Sequence, residues 1–298
     1  MNKTITLLLL VSTMLFWAAN FHVVKIALNS YSPLGVAAWR FFFGIISLFI
    51  VLYFQFGNSL FKFKFSVKEW WYMFLTSFFG IFLTIYFFNL GLKTTSAVNG
   101  SLIIAASPAI TAIFTFLFQK KEVTFIQWLA IGISFFGVAL ILVKGDFSKL
   151  AQLQFEIGDV YILVMAIVFS LSQIIVSKYL PHIDATIMTT VTSLIAFILF
   201  TIFSLPELLS TPIPYDLYFW GSILFMGILG TGIAYTAFYF CVVKLGATTS
   251  TLYMNLIPFF AALLAFPFGE VIHTIQVLGG ILIILGLLLF EFSKKNTP

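Results

Sequence analysis

Residues 91–122, GLKTTSAVNGSLIIAASPAITAIFTFLFQKKE, consist of a polar turn, an apolar run that contains Pro108, and a charged end. Residues 243–270, VKLGATTSTLYMNLIPFFAALLAFPFGE, repeat this plan, and Pro258 takes the place of Pro108 at an offset of 150 residues. Both stretches close on a glutamate and continue into a glutamine and then an apolar helix rich in small residues. The repetition predicts a chain built from two related halves.

The composition is that of a membrane protein. Of the 298 residues, 61% are hydrophobic and only 8% are charged, whereas an average soluble domain has about 25% charged residues. So few charges cannot cover a water-soluble surface. The formal charge of +5 does not indicate nucleic-acid binding, because the lysines lie in short gaps between apolar runs, where they act as topology signals.

Ten apolar runs are long enough to cross a bilayer, for which a helix needs about 20 mostly apolar residues. Turn-forming residues, including Pro181 and Pro206, fall in the gaps between them. The first run stays apolar through Ile26, which favours a membrane span over a cleaved signal peptide. The predicted spans are 5–27, 34–55, 69–90, 96–118, 124–143, 159–178, 185–204, 217–241, 248–268 and 273–292.

The lysines are divided unequally between the two sides that these spans define. Cytoplasmic loops of membrane proteins carry an excess of Lys and Arg. We therefore predict a multi-pass protein of the cell inner (plasma) membrane with both termini in the cytoplasm. The predicted cytoplasmic side holds Lys3, Lys62, Lys64, Lys68, Lys120, Lys121, Lys178, Lys244, Lys294 and Lys295, and the other side holds Lys25, Lys93, Lys144 and Lys149.

The repeat unit is five helices. Spans three to five match spans eight to ten, and span one resembles span six, where Gln173 corresponds to Asn20 at an offset of 153 residues. Because five is odd, the second half enters the membrane in the opposite direction, which predicts two inverted repeats, residues 1–146 and 156–298, joined by the linker 147–155. Inverted repeats are typical of secondary transporters with alternating access. A duplicated membrane protein without a transport role is the alternative.

Short motifs follow one another along the chain: Phe16-Trp17-Ala18-Ala19-Asn20-Phe21, Trp39-Arg40-Phe41, Ser107-Pro108 with Lys121-Glu122, and Leu245-Gly246-Ala247 with Asn255, Pro258 and Glu270. In this order and at these spacings they resemble the EamA-like ten-helix branch of the drug/metabolite transporter superfamily. The resemblance covers nearly the whole chain. It implies a bacterial inner-membrane transporter, most often an exporter of amino acids and related small metabolites. It also implies a cavity among helices one, three, four, six, eight and nine, with helices five and ten at the rear.

Polar and aromatic residues at helical spacing are the candidates for lining such a cavity. Trp17 and Asn20 share one face of span one, and Tyr235 and Tyr239 share one face of span eight. Polar groups inside a bilayer tend to face the bundle interior or a water-filled path. For the aromatic residues, interhelical packing is the alternative. The predicted substrate-binding residues are Trp17, Asn20, Asn89, Asn99, Gln173, Tyr235, Tyr239 and Asn255.

Pro108 and Pro258 lie inside predicted spans four and nine. A proline leaves the carbonyl four residues earlier, here those of Ile104 and Met254, without its helical partner, and a carbonyl at membrane depth needs another one. Paired kinks in inverted repeats predict gate hinges. Purely structural kinks satisfied by neighbouring helices are the alternative.

Three charged or titratable residues are candidate charge partners for a substrate carboxylate. Lys25 and Arg40 lie near the outer ends of apolar runs, and His22 lies one helical turn from Lys25. Snorkelling of the cations to the interface is the alternative. The sequence places no acid near the middle of a predicted span, which argues against a carboxylate-driven proton antiporter. Facilitated diffusion, exchange and coupling through His22 stay open.

Small residues repeat at a spacing of seven in spans five and ten, as Ala130 with Gly137 and Gly279 with Gly286. Seven residues are two helical turns, so each pair lies on one face and permits close helix approach. This pattern predicts packing at the rear of the bundle, with a dimer contact as the alternative. The chain is accordingly predicted to be a monomer or a homodimer.

The function predicted from these features is an inner-membrane secondary transporter that exports amino acids or related small metabolites, with hydrophobic or aromatic amino acids favoured. The alternatives are an uptake or exchange transporter for another small metabolite, such as a nucleotide sugar, vitamin or drug, and a non-transporting scaffold. The chain has no His-Glu-x-x-His or Gly-x-Ser-x-Gly motif, so we do not expect an enzyme. The predicted partners are a small-molecule substrate and the lipid bilayer, with no cofactor. Cys241 is the single cysteine, which excludes an intrachain disulfide.

Overall fold

The computed structural model describes residues 2–57, 64–94, 97–143, 146, 148, 156–212, 214–265 and 273–295. The regular structure in these residues is helical, without strands. The α-helices are Lys3–Ala27, Pro33–Phe56, Val67–Ser77, Thr84–Thr94, Ala97–Ala105, Ser107–Gln119, Phe125–Val143, Ile157–Tyr179, Ala185–Ser210, Leu217–Phe225, Ala234–Leu245, Ala247–Leu252, Leu256–Ala265 and Thr274–Lys295.

Within the described residues, ten helical segments are long and apolar enough to cross a membrane, judged by length and composition. Each overlaps one of the predicted spans, which confirms the all-helical, ten-span prediction. In chain order they are Lys3–Asn20, Pro33–Phe56, Val67–Gly91, Gly100–Gln119, Phe125–Val143, Ile157–Tyr179, Ala185–Ser210, Leu217–Leu245, Ala247–Leu264 and Thr274–Ser293. We refer to them as the first to the tenth span.

Helix boundaries follow from local sequence signals with one exception. Ser32 caps the second span by accepting a hydrogen bond from the Gly35 N–H (3.3 Å), and Pro33 occupies the first turn, where its missing N–H costs nothing. The prediction that Pro206 lies in a gap is wrong, because the seventh span continues through it to Ser210. A membrane helix tolerates the lost hydrogen bond when neighbouring groups satisfy the freed carbonyl.

The third and eighth spans contain matching irregularities. A π-helical segment, Phe78–Leu83, interrupts the third span, and a second, Met226–Ile233, interrupts the eighth. The last residues of the two segments are 150 positions apart, the same offset as that of the two prolines. π-Helical turns are rare and concentrate at functional sites. Their occurrence at equivalent places supports the predicted relationship between the two halves.

The fourth and ninth spans are broken just before their prolines. In the fourth, a break at Ala106 separates two α-helices, and Pro108 lies in the first turn of the second helix. In the ninth, a 3-10 turn, Tyr253–Asn255, precedes the helix that contains Pro258. The predicted kinks are therefore confirmed as helix breaks.

The fifth and tenth spans pack through their small residues. A Cβ atom at Gly137 would come within 2.6 Å of the Gly279 carbonyl oxygen, and one at Gly286 within 2.7 Å of the Ala130 carbonyl oxygen. This close approach confirms the predicted packing of the two spans against each other. Residue numbers rise along one helix as they fall along the other, so these two spans run antiparallel.

Both ends of the described chain lie on one face of the bundle. The Lys3 ammonium forms an ion pair of 2.5 Å with Glu291, which joins the start of the first helix to the end of the tenth span. We call this face the terminal face. The opposite face carries the turn between the first two helices, residues 28–32.

Candidate functional site

A cavity of about 170 Å³ lies between seven of the ten spans. It is the chamber that the resemblance implies among spans one, three, four, six, eight and nine, with the second span added to its wall. Its lining is mostly apolar, with a few polar groups. The lining residues are Trp17, Asn20, Val24, Leu28, Pro33, Val36, Ala37, Arg40, Thr84, Ile85, Phe88, Asn89, Ile104, Ser107, Met165, Phe169, Met226, Tyr235, Met254 and Ile257.

Two cavity side chains converge on the backbone of Gly230, in the π-helical segment of the eighth span. The indole Nε1 of Trp17 donates a hydrogen bond of 3.2 Å to the Gly230 carbonyl oxygen, and Nη2 of Arg40 donates one of 3.3 Å to the same oxygen. This one carbonyl therefore fixes an aromatic group and a cation beside each other. The eighth span positions groups that the first and second spans supply.

Arg40 is a cation on the cavity wall. Its Nε donates to the Thr231 hydroxyl at 2.8 Å, and its guanidinium lies 5.7 Å from the centre of the Phe41 ring. Among the described residues, no carboxylate forms an ion pair with it. A charge removed from water is costly unless it is paired, so this site favours an anionic ligand. The Arg40 side chain does not extend to the membrane interface by snorkelling, because its guanidinium is hydrogen-bonded to Gly230 and Thr231 of the eighth span.

Asn20 presents an amide to the same region. The residue is 9% exposed, and its Oδ1 accepts no hydrogen bond in the described part of the chain. Gly230 lies directly against the amide, where a Cβ atom would collide with it. An unsatisfied buried polar atom costs about 1–3 kcal/mol. The Oδ1 atom is itself buried, so a ligand that donates an N–H would remove this cost once the amide turns towards the cavity.

An aromatic wall borders these polar groups. The rings of Trp17 and Tyr235 meet edge to face with centroids 5.3 Å apart, and Trp17 also packs on Phe238 at 4.9 Å. Phe169, whose ring lies 5.9 Å from that of Phe238, continues the wall along the sixth span. Such rings give a ligand side chain a large apolar surface.

Three predicted binding residues do not line the cavity. Gln173 is fully buried, and its Nε2 donates to the Ser172 hydroxyl at 2.8 Å. Tyr239 is fully buried behind Tyr235, at a ring distance of 5.9 Å. Asn255 donates to the Ser134 hydroxyl at 3.0 Å and so ties the ninth span to the fifth.

The remaining predicted residues are one that lines the cavity, three whose side chains are not described, and the two prolines. Asn89 lines the cavity, whereas the side chains of His22, Lys25 and Asn99 lie outside the described residues. Pro108 and Pro258 are not in the lining. However, Ile104 and Met254, the residues four positions before them, both line the cavity.

Sequence reasoning missed several lining residues, among them Thr84, Ser107 and Phe169. Ser107 belongs to the Ser-Pro motif, so its position beside a helix break was a usable signal. Phe169 lies one turn before Gln173 in the same span, and the 3.6-residue period could have identified it. We find no comparable sequence signal for Thr84.

A second pocket of about 510 Å³ continues from the cavity towards the opposite face. The linings of the two share Leu28, Pro33 and Asn89, so the two spaces are adjacent. We call this second pocket the vestibule. Its lining residues are Leu28, Asn29, Ser30, Tyr31, Ser32, Pro33, Asn89, Glu207 and Thr211.

Contacts between helices close the path towards the terminal face. The Gln119 amide donates to the Ser177 hydroxyl at 2.7 Å, which links the fourth and sixth spans. The hydroxyls of Thr115 and Thr248 lie 3.0 Å apart and link the fourth and ninth. From these contacts and the position of the vestibule, we infer that the cavity is open on the vestibule side and closed on the other.

Among the described residues, ten helices long and apolar enough to cross a membrane, seven of which line a central cavity, have the architecture of a multi-pass membrane transporter. The sequence profile of the EamA-like transporter family matches residues 4–143 and 156–292. The chain belongs to this family, within the drug/metabolite transporter superfamily. The two matched ranges coincide with the two predicted halves.

Similar proteins span nearly the whole chain. The uncharacterized transporter YyaM of Bacillus subtilis is 28% identical, over 97% of this chain and 96% of that protein. An uncharacterized transporter of Archaeoglobus fulgidus is 29% identical, over 95% of this chain and 96% of its own. A solved crystal structure aligns with a TM-score of 0.77 over 99% of both chains at 15% identity, and therefore has the same fold.

Proposed function

We propose that this transporter exports amino acids or related small metabolites across the cell inner membrane by alternating access, with hydrophobic and aromatic amino acids favoured. The observation that carries the proposal is Arg40, a cation on the cavity wall without a carboxylate partner among the described residues. A substrate carboxylate supplies the missing charge. The planar guanidinium suits a carboxylate because it can donate two parallel hydrogen bonds.

The amino group of such a substrate has an acceptor nearby. The Asn20 amide lies where a Cβ atom of Gly230 would be, and Arg40 donates to the Gly230 carbonyl oxygen. The amide and the guanidinium are thus both next to one residue, and we propose that they bind the ammonium and the carboxylate of one amino acid. Asn89 is a further polar contact on the path towards the vestibule.

The size and the wall of the cavity favour a small apolar side chain. Pockets for drug-sized ligands measure about 300–1,000 Å³, which is larger than the 170 Å³ found here. The rings of Trp17, Tyr235 and Phe169 offer an apolar surface to the part of the substrate that carries no charge. A single amino acid fits these conditions better than a nucleotide sugar.

The two halves, residues 1–146 and 156–298 with the linker 147–155, are proposed to be inverted repeats. The two family matches, the paired π-helical segments and the antiparallel packing of the equivalent fifth and tenth spans support this. Most lysines lie on the side that holds both termini, and cytoplasmic loops are rich in Lys and Arg, so the terminal face is proposed to be cytoplasmic. The vestibule then opens to the outside, and the helix breaks before Pro108 and Pro258 act as hinges.

Counterflow in proteoliposomes tests the substrate class. Purified protein is reconstituted with the unlabelled form of each test compound inside, and uptake of the same labelled compound is measured for amino acids, one sugar and one nucleotide. We expect counterflow of L-phenylalanine, L-tryptophan or L-leucine, and none of the sugar or nucleotide. Flux of the sugar or nucleotide without flux of any amino acid would overturn the proposal.

A further inference from the structure

A buried polar cluster lies one helical turn from the cavity, on its terminal-face side. Gln173 follows the lining residue Phe169 by one turn in the sixth span, and Tyr239 follows Tyr235 by one turn in the eighth. Both residues are fully buried, as is Ser172. Two of them border Gly80: a Cβ atom there would collide with the Ser172 hydroxyl and would lie 3.9 Å from the Tyr239 hydroxyl.

The cluster contains polar atoms without partners. Oε1 of Gln173 and the hydroxyl of Tyr239 have no hydrogen-bond partner in the described part of the chain. Each unsatisfied buried group costs about 1–3 kcal/mol. Helices that only pack against each other could bury apolar side chains here and would avoid the cost of unsatisfied polar groups.

The cluster is the counterpart of the open site in the other half. Gln173 corresponds to Asn20 at an offset of 153 residues, and Gly80 corresponds to Gly230 at an offset of 150. Both glycines lie in the π-helical segments; Gly230 lies against Asn20 itself, and Gly80 lies against Ser172, the neighbour of Gln173. Both amides leave an oxygen without a partner among the described residues. One oxygen belongs to a cavity residue and the other lies in a closed core.

We propose that the Gln173 cluster is the latent half of the substrate site. When the cavity opens to the terminal face, the cluster becomes part of its wall, and Gln173 Oε1 takes over the substrate N–H that Asn20 Oδ1 accepts when the cavity is open to the vestibule. The ligand class is a small molecule with an N–H donor, such as a primary ammonium. The inference rests on the proposed alternating access, but its first test requires no transported substrate.

That test is the reactivity of a thiol placed in the cluster. Ser172→Cys is made in a Cys241→Ala background, and a membrane-impermeant cationic methanethiosulfonate is added to one side of sealed membranes. Cleavage of a carboxy-terminal tag by added protease identifies the terminal face. We expect the introduced thiol to react from the terminal face and to react at least about tenfold more slowly from the other side. Ser134→Cys, on the fifth span and equally buried, is the control and should stay unreactive from both sides.

The outcomes are distinct. If the thiol of the Ser172→Cys variant reacts from neither side, or from the vestibule side only, the latent site is overturned. Because labelling needs no substrate, this conclusion holds even if no amino acid is transported, which would be a failure of the proposed function alone.

Side-specific kinetics provide the second test. With L-phenylalanine as the probe, Gln173→Met should raise the half-saturating concentration about tenfold when the probe is on the terminal face, as expected for one lost hydrogen bond to a charged group. On the vestibule side the change should stay below about twofold. Asn20→Leu should show the reverse pattern. Equal changes on both sides for Gln173→Met would mean a structural role and would contradict the proposal.

Discussion

The guanidinium Nε of Arg40 donates a hydrogen bond of 2.8 Å to the hydroxyl of Thr231. Arg40 is on the second span and Thr231 is in the π-helical segment of the eighth. The eighth span therefore orients the Arg40 side chain. No carboxylate among the described residues forms an ion pair with it. The charge is left available to a ligand in the cavity.

Replacing Arg40 should weaken binding of substrates that carry a carboxylate. Arg40→Lys keeps the charge but loses the planar fork, so we expect binding of L-phenylalanine to weaken about 10- to 100-fold, since a hydrogen bond to a charged group contributes about 1.5–3 kcal/mol. Ligand-induced changes in tryptophan fluorescence measure this. Binding of phenethylamine, which lacks the carboxylate, should change little. Lys121→Gln, an exposed charge at the end of the fourth span, is the control, and equal losses for both ligands would contradict the assignment.

Asn20 should discriminate amino acids from simple carboxylic acids. In the wild-type protein we expect L-phenylalanine to bind more tightly than 3-phenylpropionate, because only the former donates N–H groups to Oδ1. Asn20→Leu should reduce this preference about tenfold or more. Competition binding with the two ligands provides the measurement, and an unchanged ratio would remove Asn20 from amine recognition.

Gly230→Ala tests the same site through its backbone. The added methyl group would collide with the Asn20 amide, so the amide must move and binding of L-phenylalanine should weaken. Gly221→Ala, in the same span, is a matched control because nothing lies within 4 Å of its Cβ position. If both variants bind like wild type, Gly230 does not position the amide.

The ten spans could be predicted from the sequence because each apolar run alone satisfies the length that a bilayer requires. The breaks before Pro108 and Pro258 were predictable for a similarly local reason, the missing N–H of proline. Trp17, Asn20 and Tyr235 were found because helical periodicity indicates which face a residue occupies.

Periodicity does not indicate depth or conformational state. Tyr239 shares a face with Tyr235, and Gln173 follows Phe169 by one turn, yet both lie beyond the closed end of the cavity. The contact of Asn255 with Ser134 depends on how the fifth span is rotated against the ninth. The π-helical segments likewise arise from tertiary packing, and runs such as residues 78–83 carry no local signal for them.

The packing of the fifth and tenth spans predicts a loss of stability for Gly137→Ala. The new methyl group would meet the Gly279 carbonyl oxygen at 2.6 Å, and overpacking of this kind costs about 1–3 kcal/mol. Gly132→Ala on the same helix has nothing within 4 Å of its Cβ position, so it should be neutral or stabilising by up to about 1 kcal/mol. Thermal unfolding in detergent compares the two, and equal midpoints would contradict the tight packing.

Removing the hydroxyl contacts that close the terminal face should open it. Thr115→Val keeps the side-chain shape but loses the bond to Thr248, and Ser177→Ala loses the bond from Gln119. Each bond contributes about 0.5–1.5 kcal/mol, so the double variant should shift the equilibrium towards the terminal-face-open state by about 5- to 150-fold.

Spin labels at two exposed positions on the terminal face, Lys121 and Lys244, report this shift as a longer distance population in pulsed dipolar spectroscopy. Ser12→Ala is the control, because that hydroxyl bonds only carbonyls of its own helix in the described residues. An unchanged distance distribution in the double variant would mean that these bonds do not hold the closed state. A shift in the double variant alone would identify the Thr115–Thr248 and Gln119–Ser177 contacts as the latch of the gate.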